Sequence, residues 1–570
     1  MNTLLTEVFK VDSMLEALHE LGVECVFGCH NDGLFPTELS GTRYIQLQHE
    51  QAAVHAADGY ARSTGKPGVV ILTTAAGVTS GITGIATAYS DSVPIVVIAG
   101  PLSANPLNGE SAKELDIAGI TMPITKYSFK TGAGQLQDVL DNALKLAVEG
   151  RPGPVLVELT TKSVTMGAER MSHSRAPRGE RTNEAGRKSI NHAKELIENA
   201  RKPVLFVGGG VIASGATSHL REIAERSRIP VVSSMLGIGA MDTGNPLFLG
   251  MLGMHGTYAA NKAVHHCDLL ISIGVRFSDR VTGKVSGFSP KSKKIHVDID
   301  PAEINKIISA DLPIVKDAAE FLFQLKEELD YEQIRANGEI WVNEAADWKR
   351  TVPRFEKSKS VLSPQTVIRT LDEFSREDTV VVTDVGQHQI WTTHHYQFTR
   401  PRTLVTSGGL GTMGYGLPAA IGAAAGVAGT AAEVSGAERS RSGTPVLCVS
   451  GDGSFQMNLQ ELITAVRYRL PIKLAILNNG YLGMVRQWQE LFYHGRYSSV
   501  KIGSPNFAGV AEAYGVPGYR ARTEEDARRI IAEAMRLDGP ALMEFDVVEE
   551  ENVYPMVPPN HSNHQLILSR

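Results

Sequence analysis

The sequence predicts an α/β protein built from three consecutive doubly wound parallel-sheet domains. Short apolar runs alternate with helical patterns along the chain, an arrangement typical of parallel βαβ units. At 570 residues the chain is also too long for a single hydrophobic core. Two polar stretches divide it, so we predict domains at 1–168, 189–340 and 363–548, linkers at 169–188 and 341–362, and a tail at 549–570.

The composition is that of an ordinary globular protein, with 42% hydrophobic and 21% charged residues. A net charge of −6 argues against a nucleic-acid-binding surface. No apolar stretch approaches the roughly 20 residues that span a bilayer, and the N-terminus lacks the pattern of a signal peptide. The cysteines are scattered along the chain: Cys25, Cys29, Cys267 and Cys448. We therefore expect a cytoplasmic protein with no nucleic-acid and no membrane partner.

The strand candidates are apolar runs bounded by turn residues. In the first domain they are VECVF, GVVILTT, PIVVIAG and PVLVELT, and a helix predicted at 50–65 ends on Gly65. The second domain has KPVLFVGGG, IPVVSS, CDLLISIGVRF and KKIHVDID, and the third has DTVVVTDVG, TLVTSGG, PVLCVSGDGSF, IKLAILNNG and PALMEFDV. The Ala/Gly/Ser-rich segment 427–443 predicts a looped or disordered insertion in the third domain.

Two strand ends of the third domain carry oxygen ligands. Gly451-Asp452-Gly453 closes one buried strand, and Asn478-Asn479-Gly480 closes the next. A carboxylate with an amide oxygen suits Mg²⁺, and the glycines let the backbone approach a ligand closely. Amide donors of the helix expected after the first motif would face a phosphate. Each motif alone could be a turn, but the pair resembles the diphosphate-and-metal motif of the thiamine-diphosphate enzymes.

A second test of this resemblance lies in the first domain. Thiamine catalysis requires a carboxylic acid that is hydrogen-bonded to the aminopyrimidine ring of the cofactor. Glu50 follows a strand-like run and opens an Ala-rich helix, where apolar neighbours would partly desolvate it. By itself a Glu there could simply favour the helix dipole. A zinc-protease motif is excluded, since His49 and His55 are six residues apart rather than four.

The second domain carries a weak dinucleotide signature. Gly208, Gly210 and Ala213 in PVLFVGGGVIASG fit the pattern G-x-G-x-x-A. An NAD site would place an acidic residue at the end of the next strand, whereas the run IPVVSS ends in Ser233 and Ser234. The pattern therefore disfavours NAD.

Long blocks over nearly the whole chain resemble the catalytic subunit of acetolactate (acetohydroxyacid) synthase, in that family's order. They include HEQAAVHAADGYARSTG, TGIATAYSDSVPIVVIAG, FLGMLGMHGTYAAN, GVRFSDRVTGK, VDIDPAEINK, TSGGLGTMGYGLPAAIGA, GDGSFQMNLQELITAVRY and LNNGYLGMVRQWQELF. The resemblance implies a pyrimidine-binding first domain, a central FAD-type domain and a diphosphate-binding third domain. It also implies decarboxylation of a 2-oxo acid and transfer of the acyl unit to a second carbonyl compound.

The resemblance implies roles for individual residues of the active site. Glu50 would activate the thiamine diphosphate, and Asp452, Asn479 and the carbonyl of Tyr481 would bind Mg²⁺. The other residues expected at this cofactor are Gly386, Gln387, His388, Gly411, Met413, Gly451, Gly453, Ser454 and Met484, among which Met413 would wedge between the two rings. Arg280 would bind the carboxylate of the acceptor, and Trp488, with Met254 and Met484, would contact the acceptor's side chain.

The resemblance further implies a structural FAD and an oligomer. The segments expected at FAD contain Gly208, Gly209, Gly210, Met254, His255, Gly256, Arg276, Asp298 and Asp300. A homodimer or homotetramer would complete each active site from two chains, and a small regulatory subunit is a further candidate partner.

Three loops of the first domain depart from the family's pattern. Cys29-His30-Asn31-Asp32-Gly33 stands where the family usually has Tyr-Pro-Gly-Gly-Ala, Thr74-Ala75-Ala76-Gly77 replaces Ser-Gly-Pro-Gly, and Ser111-Ala112-Lys113-Glu114 replaces Ala-Phe-Gln-Glu. We expect these loops on the donor side of the site. His30 is our main candidate for a group that reaches the reacting centre, and Asp32 is a weaker one. Asn31 or Asp32 could instead cap the following helix.

Three functional hypotheses follow. The first is a carboligase with an altered donor or product, which Arg280 and Trp488 favour. The second is a decarboxylase or C–C lyase, in which His30 or Asp32 would protonate the intermediate before an acceptor arrives. The third is a cofactor-binding homologue without activity, which the intact cofactor motifs disfavour.

Overall fold

The computed structural model describes residues 11–29, 41–100, 115–159, 184–351, 362–435 and 445–569. Over these ranges the chain forms three six-stranded sheets, and every strand pair within them is parallel. Helices connect the strands, so the predicted fold class is confirmed. Every strand of the first sheet except its edges is almost wholly apolar and buried, as expected where helices cover both faces.

The first domain has the strand order β2-β1-β3-β4-β6-β5. The helix that carries Glu50 begins after His49, whose ring accepts a hydrogen bond from the backbone N–H of Gln51, and ends at Gly65 with φ 78°. The predicted glycine stop is therefore confirmed. Its elements are α1 Val11–Glu20, β1 Cys25–Gly28, β2 Arg43–Gln46, α2 Glu50–Thr64, β3 Gly68–Leu72, α3 Ala75–Asp91, β4 Ile95–Ala99, α4 Ile117–Thr121, β5 Tyr127–Thr131, α5 Leu136–Val148 and β6 Val155–Leu159.

The second domain has the strand order β12-β11-β10-β7-β8-β9. The order reverses direction beside β7, which places a topological switch point at the carboxyl end of that strand. Its elements are α6 Glu184–Asn199, β7 Pro203–Val207, α7 Gly209–Ala213, α8 Thr217–Ser227, β8 Val231–Ser233, β9 Phe248–Met251, α9 Tyr258–His266, β10 Leu269–Ile273, α10 Asp279–Thr282, β11 Lys293–Asp298, β12 Leu312–Val315, α11 Ala318–Glu328 and α12 Tyr331–Arg350.

The third domain has the strand order β14-β13-β15-β16-β18-β17, so β13, β15 and β16 lie side by side. Its elements are α13 Pro364–Phe374, β13 Val380–Thr383, α14 Gln387–His395, β14 Leu404–Thr406, α15 Gly416–Ser435, β15 Val446–Gly451, α16 Asp452–Phe455, α17 Leu462–Arg467, β16 Ile472–Asn478, α18 Gly483–Phe492, α19 Phe507–Ala513, β17 Gly518–Ala521, α20 Glu524–Ala534 and β18 Ala541–Asp546.

Helices α2 and α15 join the first domain to the third at backbone contact. A Cβ atom on Gly59 would lie 2.1 Å from the carbonyl oxygen of Ala419, and one on Gly422 would lie 1.7 Å from that of Ala56. Glycine is therefore required at both positions, because any side chain would push the helices apart. This crossing fixes α2, which begins at Glu50, against helix α15 of the third domain.

Both predicted linkers overlap helices of the structure. The linker predicted at 341–362 is helix α12 as far as Arg350, because Trp341 and Ala345 bury the same face against the central domain. Helix α6 begins at Glu184, inside the linker predicted at 169–188. Residues 160–183 and 352–361 lie outside the described residues.

The prediction of a looped or disordered insertion at 427–443 is wrong for the first part of this segment. Helix α15 continues to Ser435, since the alanines of this segment are strong helix formers. The helix predicted over NLQELITAVRYR is a 3₁₀ turn at Leu459–Glu461 followed by α17, and the short helix α16 precedes it. Among the described helices, none is long and apolar enough to cross a membrane.

Candidate functional site

A cleft opens at the carboxyl ends of β13, β15 and β16. Most of the side chains predicted for thiamine diphosphate and Mg²⁺ meet there. Parallel neighbouring strands place their ends at one edge, which is where ligands bind in open α/β sheets. The predicted residues that line this cleft are Gly386, Gln387, His388, Met413, Gly451, Asp452, Gly453, Ser454, Asn479, Tyr481 and Met484.

Two of the predicted metal ligands, Asp452 and Asn479, lie at the ends of the adjacent strands β15 and β16. Oδ2 of Asp452 accepts hydrogen bonds from the backbone N–H of Gly480 at 2.9 Å and from the Ser504 hydroxyl at 2.7 Å. Oδ1 of Asn479 accepts from the backbone N–H of Tyr481 at 3.1 Å. Burial raises the pKa of Asp452, against these hydrogen bonds. A cation beside this carboxylate would offset the cost of its burial.

The diphosphate side of the cleft contains polar atoms that lack partners. Gln387 Oε1 and His388 Nε2 are buried and have no hydrogen-bond partner among the described residues. Burial lowers the pKa of His388 to about 3, so its imidazole is neutral near pH 7. Such buried unpaired atoms at a cleft are what a polar ligand would satisfy.

Glycines provide the space around the His388 ring. A Cβ atom on Gly451 would lie 2.8 Å from His388 Nδ1, and one on Gly386 would lie 2.8 Å from its Cε1. Gly386 has φ 155° and precedes α14, whose first residues are Gln387 and His388. The hydroxyl of Ser454 donates to the carbonyl oxygen of Val385 at 2.9 Å, which ties α16 to the β13 loop. The residues present therefore fit a diphosphate and its metal.

Met413 projects toward this cleft from a loop that follows β14. Its Cε lies 3.9 Å from the position of a Cβ atom on Gly453. Gly411 of the same loop has φ 73°, and a Cβ atom there would lie 3.4 Å from Nη1 of Arg280. The side chain of Arg280 is exposed, and its guanidinium donates to the carbonyl oxygen of Gly408 at 3.1 Å. The structure thus brings the predicted acceptor cation to the loop of Met413.

Trp488 and Met484 lie on helix α18, beside the cleft. The Trp488 ring packs edge-on against Phe492 at 5.2 Å between centroids. The buried Gln487 on the same helix accepts a hydrogen bond from Gln387 at 2.9 Å and from the backbone N–H of Val553 at 2.8 Å. These bonds fix the helix that carries the predicted apolar wall.

Glu50 lies at the first turn of α2, close to the carboxyl end of β1. Its Oε1 is 3.1 Å from the position of a Cβ atom on Gly77, in the first turn of α3. The thiol of Cys29, the last described residue of the first departing loop, lies near the carboxylate of Glu50. Burial and then the negative charge of Glu50 raise the pKa of Cys29 to about 12, so this thiol is protonated.

The structure describes one of the three departing loops in full. Thr74 caps α3, and its hydroxyl accepts from the backbone N–H of Gly77 at 2.9 Å. His30, Asp32 and the segment 111–114 lie outside the described residues, so the predicted role of His30 stays a prediction.

The residues predicted for FAD gather at the carboxyl edge of the second sheet. Gly208 follows β7, Met254 to Gly256 follow β9, Arg276 follows β10, and Asp298 ends β11. A Cβ atom on Gly208 would lie 2.1 Å from the carbonyl oxygen of Gly274, and one on Gly210 would lie 2.7 Å from its Cα. These glycines are therefore required by the approach of two loops.

Charged groups surround this edge unevenly. Arg276 is half-buried and has no ion pair or hydrogen bond to any other described residue, and burial lowers its pKa. Asp300 is paired instead with Arg151 of the first domain at 3.2 Å. Burial raises the pKa of Asp298 to about 6. The unpartnered guanidinium of Arg276 fits an anionic group such as the diphosphate of FAD.

Sequence reasoning missed two buried carboxylates, Asp384 beside the cleft and Glu461 beside the residues that precede Glu50. Asp384 accepts from the backbone N–H groups of Gly414 and Gly416, and burial raises its pKa to about 6. Glu461 of the third domain accepts from the backbone N–H of Gln48 at 3.0 Å, and burial raises its pKa to about 7. A buried strand followed by Asp was a signal for Asp384, whereas nothing local indicates a partner for Glu461.

The chain matches three family models in order. They are the thiamine pyrophosphate enzyme N-terminal TPP binding domain at residues 11–120, the central domain at 190–325 and the C-terminal TPP binding domain at 384–545. The fold and the cleft therefore belong to a thiamine-diphosphate enzyme.

Curated relatives narrow the class. The chain is 39% identical to an acetolactate synthase large subunit of Haemophilus influenzae, over 98% of each chain. It is 39% identical to the isozyme 3 large subunit of Escherichia coli over 96% of each chain, and 40% identical to an acetolactate synthase of Mycobacterium bovis over 99% of this chain and 92% of the relative. This chain belongs to the acetolactate synthase large-subunit family and is a thiamine-diphosphate-dependent carboligase.

Proposed function

We propose that the protein decarboxylates a 2-oxo acid in the cleft of the third domain and transfers the acyl unit to a second carbonyl compound, with Mg²⁺ as the metal. The observation that carries this proposal is the junction of β13, β15 and β16. It combines an oxygen donor set, Asp452 and Asn479, with the unpartnered buried atoms Gln387 Oε1 and His388 Nε2. Such a donor set suits Mg²⁺ bound to a diphosphate.

In this proposal Asp452, Asn479 and the carbonyl of Tyr481 hold the metal, and Gln387 and His388 face the diphosphate. When bound, thiamine diphosphate supplies the electron sink that decarboxylation of a 2-oxo acid needs. The neutral imidazole of His388 offers one N–H donor without adding charge. Met413 would contact the rings of the cofactor and hold its reacting groups in proximity.

Glu50 would hydrogen-bond the pyrimidine ring of bound thiamine diphosphate, and we propose that the Glu50 of each site comes from a second copy of the chain. Glu50 lies against Gly77, near the start of helix α3. The loop of Met413 contacts α3 farther along, through a 2.7 Å hydrogen bond between Thr412 and Thr87. Ten residues of α-helix separate these two contacts, which is about 15 Å along the axis. This separation favours a homodimer or homotetramer in which each site combines two chains.

Arg280 and Trp488 form the acceptor side in this proposal. The exposed guanidinium of Arg280 can bind a carboxylate in a bidentate manner, as a planar fork does. Trp488, Met484 and Met254 offer an apolar wall for the rest of the acceptor. An acceptor site distinguishes a carboligase from a simple decarboxylase, so these residues favour a carboligase.

We also propose that the central domain binds FAD as a structural cofactor. The support is Arg276, the half-buried cation without a described partner, at a switch point of the second sheet. Gly208 to Gly210, Met254 to Gly256, Asp298 and Asp300 lie at the same edge.

Partners and location are proposed on coarser grounds. The relatives from Haemophilus influenzae and Escherichia coli are named large subunits, which favours a small regulatory subunit here. The four cysteines are free and buried, as expected in a reducing cytoplasm.

The donor is proposed to differ from that of typical family members, because Cys29 and Gly77, the described residues of two departing loops that lie near Glu50, belong to segments that differ from the family's pattern. The test is incubation of purified protein with pyruvate, thiamine diphosphate and Mg²⁺. Acetolactate would support the carboligase with pyruvate as donor. Acetaldehyde without acetolactate would favour the decarboxylase. No turnover of pyruvate, followed by turnover of another 2-oxo acid, would support an altered donor.

A further inference from the structure

The loop that carries Met413, residues 407–416 and here called the Met413 loop, is bonded to all three domains. From the first domain, Asp91 accepts hydrogen bonds from two successive backbone N–H groups, Gly409 to Oδ1 at 2.6 Å and Gly408 to Oδ2 at 3.0 Å. From the second domain, Arg280 donates to the carbonyl oxygen of Gly408. From the third, Asp384 accepts from Gly414 and Gly416.

Both backbone polar groups of Gly408 are thus hydrogen-bonded. Its N–H points to Asp91, and its carbonyl oxygen accepts from Nη1 of Arg280 at 3.1 Å. A shift of this residue would move the partner of the Arg280 guanidinium. Asp91 therefore acts, through one residue of backbone, on the cation proposed to bind the acceptor.

The charge of Asp91 is held in place from the other side. Its Oδ2 pairs with Arg62 at 2.7 Å, and the same guanidinium pairs with Asp58 at 2.6 Å. Tyr415, also in the Met413 loop, donates its hydroxyl to Asp58 at 2.5 Å. Two buried carboxylates share one cation, so one negative charge remains. The N–H groups of Gly408 and Gly409 stabilise that charge, because hydrogen bonds to an ionised acceptor are strong.

The fit between Asp91 and the loop leaves no space for a side chain at Gly409. A Cβ atom there would lie 2.4 Å from Oδ1 of Asp91 and 2.5 Å from Oγ of Ser90. A second contact lies one turn earlier on α3, where the buried hydroxyls of Thr87 and Thr412 are 2.7 Å apart. The carboxyl-terminal turns of α3 and the Met413 loop are therefore closely matched surfaces.

We propose that Asp91 is a positioning residue for the reaction. It fixes the backbone of the Met413 loop, so that Met413 supports the cofactor and Arg280 is oriented toward the acceptor. This inference rests on the proposed roles of Met413 and Arg280. A purely structural Asp91 would stabilise the fold without affecting the cofactor or the acceptor.

The test compares Asp91→Asn with a matched control, Asp268→Asn. Asp268 also accepts from two successive backbone N–H groups, those of Arg201 and Lys202 at 2.8 and 2.9 Å, but it precedes β10, at the end of the second sheet opposite to the site. Both variants remove one charge from an acceptor that binds two backbone amides. Only Asp91→Asn changes the Met413 loop.

The first measurements are made on the protein without substrate. We expect Asp91→Asn to speed hydrogen exchange in a peptide containing Gly408 and Gly409, and to weaken thiamine diphosphate binding roughly tenfold, as loss of a charge-assisted hydrogen bond implies. Tryptophan fluorescence measures the binding in the presence of Mg²⁺. Asp268→Asn should leave both quantities at their wild-type values.

The second measurement is the fate of the donor. With the donor that the wild-type protein accepts, Asp91→Asn should raise the ratio of released aldehyde to ligated product, because a displaced Arg280 holds the acceptor poorly. Wild-type cofactor affinity and wild-type product ratio in Asp91→Asn would overturn the inference, even if the melting temperature fell.

A milder variant covers the case in which Asp91→Asn does not fold. Thr87→Val removes the hydroxyl contact with Thr412 and keeps the side-chain volume. It should shift cofactor affinity in the same direction, by roughly fivefold for a neutral hydrogen bond. An unchanged affinity in Thr87→Val would then overturn the inference. If Met413→Ala also left cofactor affinity unchanged, the proposed role of Met413 would be wrong, independently of Asp91.

Discussion

The backbone N–H of Gly480 donates a 2.9 Å hydrogen bond to Oδ2 of Asp452, which ties the end of β16 to the end of β15. These residues come from two separate Gly-containing motifs. The bond holds the Asp452 carboxylate beside the loop of Asn479, with the Ser504 hydroxyl on the same oxygen. The proposed metal ligands are therefore positioned by the protein itself.

Asp452→Asn should abolish metal-dependent cofactor binding. An amide has no charge to offset Mg²⁺, so we expect the metal affinity to fall at least about 100-fold, beyond the effect typical of groups around metal ligands. Isothermal titration of Mg²⁺ with thiamine diphosphate measures this. Asp546→Asn is the control, since Asp546 ends the neighbouring strand β18 and pairs with Arg520 and Arg522. Equal losses in both variants would contradict the metal role.

Glu50→Gln should lower turnover about 100-fold or more, as expected when a proton-transferring group is removed. Thiamine diphosphate should still bind, because the diphosphate and metal ligands belong to the third domain. Steady-state decarboxylation and a fluorescence titration give the two values. Glu149→Gln, an exposed carboxylate of the same domain, should behave as wild type. Turnover of Glu50→Gln at the wild-type rate would exclude the proposed role.

His30→Ala should change the rate or the product without releasing the cofactor, since we predict that His30 reaches the donor. Product analysis by chromatography, with the cofactor titration, measures both effects. Asn31→Ala is the comparison for a helix cap and should lower the melting temperature only. Unchanged kinetics in His30→Ala would favour the simple turn over the catalytic loop.

Arg276→Met should purify with less FAD than the wild-type protein. Loss of the half-buried guanidinium removes a charge-assisted contact to a diphosphate, so the FAD affinity should fall roughly tenfold. The visible absorption of the purified proteins reports FAD occupancy directly. Arg228→Met, on the exposed surface of the same domain, is the control. A wild-type protein that neither carries nor binds FAD would overturn the proposal for the central domain.

Glu461 should make stability fall with rising pH. Burial raises its pKa from 4.5 to about 7, so between these values the folded protein keeps a proton that the unfolded chain has lost. The free energy of unfolding therefore decreases from pH 4.5 to 7, and the contribution is complete below 4.5. The glutamine in Glu461→Gln cannot ionise. The melting temperature of this variant, measured relative to that of the wild type, should therefore rise as the pH increases from 4.5 to 7. A constant difference would contradict the prediction.

Local patterns were sufficient to predict the inner strands of the three sheets and the polar motifs at the ends of β15 and β16, whereas the edge strands β5, β9, β12 and β17 were not among the predicted runs. Buried parallel strands are apolar runs ended by Gly or polar residues, so β13, β15 and β16 and their terminal motifs were visible in the sequence. The extents of α12 and α15 were not. Polar and Ala/Gly-rich segments look like linkers, and only the burial of Trp341 reveals why α12 continues.

The sequence by itself determined the order of the inner strands, the oxygen-bearing side chains at strand ends and the family resemblance, because each depends on residues close together in the chain. The tertiary structure alone decided which distant groups meet. Asp91 binds Gly409, and Glu461 binds Gln48, across 318 and 413 residues. No periodicity encodes such pairs, since they arise only when the crossing of α2 and α15 brings two domains into backbone contact.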